Sequence, residues 1–156
     1  MSVFNDVKDL ASGKKQSKDW YREQLMYGLE DYSGGFEVGD IILFNYSAAT
    51  EKLPFYDKYP MVLITDKDTV NAQFSGGNIH YLRPSVRKSI CQSWSSGSNA
   101  FPQRCYHKYF MSNARQIKTV RRVDLNNMTP LPIEQFTMSR VGRMIDVPSS
   151  FIWSRL

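Results

Sequence analysis

Three observations in the sequence predict a small α+β domain: a curled antiparallel sheet with a helix ahead of it and a basic helical insertion within it. The first is "KDWYREQLMYGLEDY" after Ser17, a helical pattern broken by "SGG" at 33–35. The second is a change of period at Phe36, after which "GDIILFNY" (39–46), "MVLIT" (61–65) and "GGNIHYL" (76–82) read as strands. The third is a stretch from 83 to 122 that holds nine Lys/Arg and no carboxylate.

The bulk numbers fit this class. The chain has 156 residues, most simply one domain with a real core. A hydrophobic content of 42% and a charged content of 22% argue against disorder. No apolar run approaches the roughly 20 residues of a membrane span, and the start lacks the charged-then-apolar order of a signal peptide. No membrane partner is expected. Cys91, Cys105, His80 and His107 match no compact zinc spacing, so no metal and no cofactor are expected, and the cysteines read as reduced, partly buried thiols.

Residues 1–16, with Gly13-Lys14-Lys15-Gln16, read as a flexible or partner-ordered arm, leaving 17–156 as a single α+β domain. Ser17 suits the N-cap of a helix over about 17–31, with Asp19 near the positive end of its dipole. Trp20, Tyr21, Gln24, Leu25 and Gly28 share one face. The unbroken apolar run "MVLIT" marks a strand buried on both faces. Three strands with a long first connection predict a small SH3-like curled sheet or barrel. That connection carries "LPFYDKYP" (53–60). Pro54 and Pro60 stiffen its ends, while Leu53, Phe55, Tyr56 and Tyr59 form its apolar and aromatic body, the rings covering the open edge. Asp57 is placed to cap the turn or to meet His80 or Arg83. Alternation along a strand puts His80 on the opposite face from Ile79 and Tyr81.

Pro84 suits the first turn of a helix, with Val86, Ile90 and Trp94 at i, i+4 and i+8. "SSGSN" (95–99) reads as a turn, and 101–117 reads as helical, with Cys105 and Tyr109 on one face beside Tyr106 and Phe110. "KTVRRVDL" (118–125) reads as a strand returning to the sheet. "TPLPIEQF" (129–136), with two prolines, is at best an edge strand or an extended clamp. The apolar tail Phe151-Ile152-Trp153 calls for docking on the domain itself or on a neighbour.

The chain lacks a nucleophile elbow, a zincin helix, a Walker loop and a dinucleotide fingerprint. Asp57, Asp66 and Asp68 could gather around magnesium, but "TDKD" reads better as a solvated turn. His80 is better explained by a hydrogen bond to the neighbouring loop than as a general base, and His107 as a surface or interface residue. No catalytic residue is assigned, and the chain is not expected to be an enzyme. The acid-free stretch points to a polyanion, or to an acidic protein surface. Its cations are Arg83, Arg87, Lys88, Arg104, Lys108, Arg115, Lys118, Arg121 and Arg122. Tyr106, Tyr109 and Trp94 lie among them, placed either to stack on exposed bases or to form a helix core face.

Two resemblances add to this reading. Gly39-Asp40-Ile41 and Pro60-Met61-Val62-Leu63 resemble the start of MazF/PemK-like toxins, which are SH3-like barrels. That family places an RNA-cleaving arginine beside the proline, where this chain has Lys58-Tyr59, so the resemblance implies the barrel and not the ribonuclease. Four blocks in order, "LPFYDKYP", "GGNIHYLRP" (76–84), "PQRCYHKYF" (102–110) and "PLPIEQF" (130–136), resemble a protein family of T-even-like tailed phages, with the pattern LPYYD-x-FP, N-x-HYLPP, KPC-x-KRYL and FLP-x-E-x-F. The match spans roughly 17–136. Members are virion-associated, and some carry the label DNA end protector. The resemblance implies a non-enzymatic virion or morphogenesis protein at the DNA–connector or tail machinery. Its partners would be DNA and other phage virion proteins in a larger assembly, located in the virion and, during assembly, in the host cytoplasm. A structural tail, neck or baseplate adaptor that ignores DNA is the alternative, and a MazF-like endoribonuclease the remotest one.

Overall fold

The computed structural model describes residues 9–11, 17–31, 35–47, 55–95, 102–120, 131, 133–140 and 142–154. Of the expected arm only 9–11 falls within this set, as helical residues with Ala11 buried. Leu53, Pro54, Arg121 and Arg122 lie outside the described residues, as does most of "SSGSN".

Helix α1 (Lys18–Gly28) begins as its cap predicts: the Ser17 hydroxyl accepts from the Trp20 N–H at 3.1 Å. It closes three residues early, where the Leu29 N–H bonds the Leu25 carbonyl at 2.9 Å. Its buried face also differs from the expected one. Arg22 and Leu25 are buried and Gly28 is exposed, because backbone carbonyls elsewhere draw the Arg22 guanidinium inward.

The main sheet is antiparallel, with β2 (Ile41–Tyr46), β4 (Met61–Asp68), β5 (Gln73–Asn78), β6 (Tyr106–Phe110) and β7 (Ala114–Val120) in the order β7-β2-β4-β5-β6. The two-residue β1 (Glu30–Asp31) extends it beside β7. The last strand thus returns to pair with the first, across a single 3-10 turn, Met111–Asn113, that links β6 to β7. Strands three ladder spacings apart, about 14 Å in a flat sheet, make ring contact here: Phe44 on β2 lies 5.3 Å from Tyr109 on β6. The sheet is strongly curled, but no ladder joins β6 to β7, so it stays open and does not close into a barrel.

Alternation assigns the two faces. Ile42, Phe44, Tyr46, Val62, Ile64, Phe74 and Tyr109 fill the inside of the curl. Ile41, Leu43, Met61 and Leu63 face the other way and pack against Leu25 and Leu29, with Cys91, Cys105 and Ile152 in the same cluster. "MVLIT" is therefore buried on both faces, as its composition predicts, with Thr65 at the margin. At Gly76 the neighbouring strand leaves no room for a side chain. A Cβ there would lie 2.2 Å from the Leu63 carbonyl oxygen and 2.5 Å from Val62 Cγ1. Gly76→Ala is expected to cost about 3 kcal/mol, the upper end of ordinary overpacking, read as a lower urea midpoint. A midpoint within error of the parent would contradict this packing.

Several expectations need correction. Of the helix expected over 101–117, the described residues 102–117 form no α-helix. They give a 3-10 turn (Gln103–Cys105), then β6 and β7. The Cys105–Tyr109 spacing imitates a helix, but the period-two alternation of Lys108 and Tyr109 wins, because it lets Tyr109 fill the curl. The helix expected from Pro84 is present as α2 (Pro84–Ser95) between β5 and β6, but its inward face differs, with Val86 exposed and Arg87 and Cys91 buried. "TDKD" continues β4, and the turn follows at 69–72 with Ala72 at φ 52°. β5 stops at Asn78, and Ile79–Tyr81 form a 3-10 turn in which all three residues are buried, so His80 has no strand face. β7 covers "KTV" of the expected 118–125 strand, and the rest lies outside the described residues.

A second sheet pairs β3 (Tyr56–Asp57) with β8 (Phe136–Arg140), and β8 with β9 (Arg143–Val147). The short helix α3 (Ser149–Trp153) follows, and it docks on the domain itself through buried Ile152. No helix among the described residues is long and apolar enough to cross a membrane.

Candidate functional site

The residues with the most pronounced chemistry gather in a buried polar knot where β3, the end of β5, α2 and the segment before β8 meet. Asp57 is its hub. One carboxylate oxygen accepts from the backbone N–H groups of Tyr59 (3.0 Å) and Gln135 (3.1 Å). The other meets His80 Nδ1 at 2.8 Å and the Asn78 amide at 3.1 Å. Asn78 in turn accepts from the N–H groups of Met61 and His80. Burial by itself would raise the Asp57 carboxyl, but the charge and hydrogen bond of His80, with Asn78 and Tyr59, hold it below the ordinary aspartate value.

A second hub lies beside it. The Glu134 side chain is fully buried; it accepts from Lys18 at 3.1 Å and Ser149 at 2.8 Å, and faces Arg87 at 3.5 Å. Burial again opposes its charge, yet His80 and Arg87 keep the carboxyl below its ordinary value. The Arg87 guanidinium, also fully buried, donates to the carbonyls of Leu82, Leu131 and His80. Burial pulls it below the usual arginine value, against the opposing pull of Glu134 and Asp57. Arg22 donates to the carbonyls of Ile133 and Glu134 and pairs with Asp19 at 2.6 Å. The Trp153 indole closes the assembly, donating to the His80 carbonyl at 3.0 Å while Arg87 lies over its ring at 5.7 Å.

Asp57 and His80 have the spacing of a catalytic acid–base pair, but they are 1% and 0% exposed. His80 Nε2, the atom a base would use, is buried and has no hydrogen-bond partner among the described residues. The arrangement orients and neutralises buried groups and cannot reach a substrate in this conformation. Among the described residues no three His, Cys, Asp or Glu side chains gather as a metal site. Burial pushes both thiols, Cys91 and Cys105, up to about 11, which leaves them unreactive.

The expected polyanion residues are scattered by the fold. Arg87 is removed from the set, since its guanidinium serves the buried knot. Tyr109 is removed as well: it packs inside the curl, stacked on Phe74 at 5.3 Å, and cannot meet a base. Arg104 is half-buried and donates to the Ile152 carbonyl, and Tyr106 is half-buried against the core. Lys118 lines an open groove of about 520 Å³ between α1 and β7, with Tyr27, Tyr59 and Gln116. Arg83, Lys88, Lys108 and Arg115 remain exposed, the first two on α2 and its approach, the others on β6 and β7.

Of the LPFYDKYP residues, Phe55 packs toward Tyr81, Tyr56 lies near the inner cluster, and Pro60 is buried. The meeting of Asp57 with His80 agrees with the sequence reading, and that with Arg83 does not occur. Glu134 and Arg22 were missed. The signal for Glu134 was its place in a short apolar block, "PLPIEQF", where a solvated acid has no reason to stand.

No family model matches the chain, and neither the curated proteins nor the solved structures include one similar to it.

Proposed function

We propose that the protein is a non-catalytic component of a tailed-phage particle that contacts DNA through the cations its fold leaves on the surface. One observation carries this reading: the acid-free stretch 83–122 keeps Arg83, Lys88, Lys108 and Arg115 exposed after Arg87 has been taken into the core. Exposed cations with no carboxylate in the same stretch neutralise phosphates and release counterions. The sealed Asp57–His80 pair supports a binding role over a ribonuclease. The spatial meeting of three separate blocks, at Asp57, His80 and Glu134, supports the phage resemblance by giving those blocks one shared structural task. The five-stranded unit is read as SH3-like, supported by the order β7-β2-β4-β5-β6 and the 3-10 turn between its last two strands. The place of action is the virion, and the host cytoplasm during assembly, beside other virion proteins.

Fluorescence anisotropy with labelled duplex carrying free ends, and with single strands, tests the DNA contact. Binding to duplex is expected to weaken with salt at a slope of about −0.9 per phosphate contact, and each Lys→Ala change at Lys88 or Lys108 to reduce the slope by about 1. Failure of both nucleic acids to bind at low salt ends the DNA reading. The adaptor reading then takes over, favoured by exposed Tyr27, Val70 and Phe151, at 90%, 91% and 43% exposure.

A further inference from the structure

A small cavity lies at one end of the curled sheet, apart from the exposed cations on α2. Its walls are the rings of Tyr46, Phe55, Tyr56, Tyr81 and Tyr109, drawn from β2, the β3 segment, the 3-10 turn and β6. Its volume is about 60 Å³. One water needs about 10–15 Å³, so the space suits a group of four or five heavy atoms.

The chemistry of the lining is one-sided. Aromatic faces carry negative quadrupole density. His107 lines the cavity; burial lowers its pKa, against a hydrogen bond to the Arg104 carbonyl and the Asp57 charge, so the ring is neutral. With one ring nitrogen donating to that carbonyl, Nε2 is left as an acceptor, and it is buried with no partner. Asp57 forms part of the lining, and its negative charge acts on Tyr81, Tyr109 and His107. Among the described residues Lys108 is the one positive group in the lining, and it is exposed. Five rings, an orphan acceptor and a carboxylate field therefore favour a compact cation carrying N–H donors.

We propose that this cavity binds the cationic head of a single lysine or arginine side chain presented by a partner protein. The head would lie against the rings of Tyr56 and Tyr81 and donate to His107 Nε2, with Lys108 swung toward solvent. The proposal does not rest on the DNA reading. Lys108 belongs to both sets, but a positively charged partner segment is the opposite of the ligand that Arg83, Lys88 and Arg115 would attract, so opposite probes tell the two readings apart.

Titration of the full chain with N-acetyl-arginine methylamide and N-acetyl-lysine methylamide, followed by NMR of the His107 and tyrosine ring signals, tests it. Norleucine and phosphate probes serve as neutral and anionic controls. Saturable shifts are expected with both cationic probes and not with norleucine. Tyr56→Leu should weaken binding about threefold or more, and His107→Phe should weaken it while keeping the ring. Lys108→Ala, a surface change that leaves folding intact, should tighten the cationic probes about twofold by removing a like charge. Phosphate binding that Lys108→Ala weakens would make the cavity an anion site and overturn the proposal. Equal binding of norleucine, or no saturable shift with any probe, would overturn it too.

Discussion

Glu134→Ala is expected to lower folding stability by about 3–5 kcal/mol, the usual cost of removing one partner from a buried ion pair. The Arg87 guanidinium would stay fully buried and lose the carboxylate it faces, and Lys18 and Ser149 would lose their shared acceptor. Urea unfolding with an unchanged slope gives the number. The double variant Glu134→Leu with Arg87→Met removes both charges together and is expected to be more stable than Glu134→Ala alone. Recovery should be incomplete, because the carbonyls of Leu82, Leu131 and His80 also lose their donor. A cost below about 1 kcal/mol for Glu134→Ala would mean that water reaches Arg87 and that the pair is not sealed.

Asp57→Asn is expected to cost about 3 kcal/mol at neutral pH and to change how stability responds to acid. The amide keeps an acceptor for the Tyr59 and Gln135 N–H groups, but sets an NH2 donor against the Asn78 amide or the His80 ring. A carboxyl whose folded pKa lies below its unfolded one adds stability above the unfolded value, and loses that contribution as pH falls through the folded value. Asp57 and Glu134 both have this sign. The parent protein should therefore lose stability as the pH drops below about 4, the ordinary carboxylate range. In Asp57→Asn that acid limb should be shallower, with Glu134 supplying what remains. Melting temperatures between pH 3 and pH 7 check this, and parallel curves for the two proteins would rule it out.

How much of this was legible depended on whether a signal was local. The Ser17 cap, the doubly buried "MVLIT" and the Asp57–His80 contact could be read because each depends on neighbours in sequence, or on two conspicuous blocks. The fate of 101–117 could not be read, since Cys105 and Tyr109 satisfy both a helical and an alternating pattern. Only the curl, which brings β6 across to Phe44, decides between the two. Arg87 shows the same limit more sharply. Nothing local separates it from Lys88, yet one enters the core and the other faces water. The difference lies in Glu134 and the carbonyls that await the guanidinium, 47 residues away for the acid. A guanidinium forms several fixed hydrogen bonds at once, and this lets Arg87 accept burial that a lysine would resist.

The knot also bears on the order in which the chain can fold. Lys18 meets a partner 116 residues further on, and Arg22 meets carbonyls 111 and 112 residues away. As the chain leaves the ribosome, α1 therefore emerges long before the groups that hold its charged side, while β2, β4 and β5 can already pair. Such distant closures are slow to form. The nascent chain must carry Arg22 without its two carbonyl partners until residues 133–134 arrive, so completion of the fold is tied to a late stage of synthesis. Assembly into any larger particle would then draw only on chains that have been made at least that far.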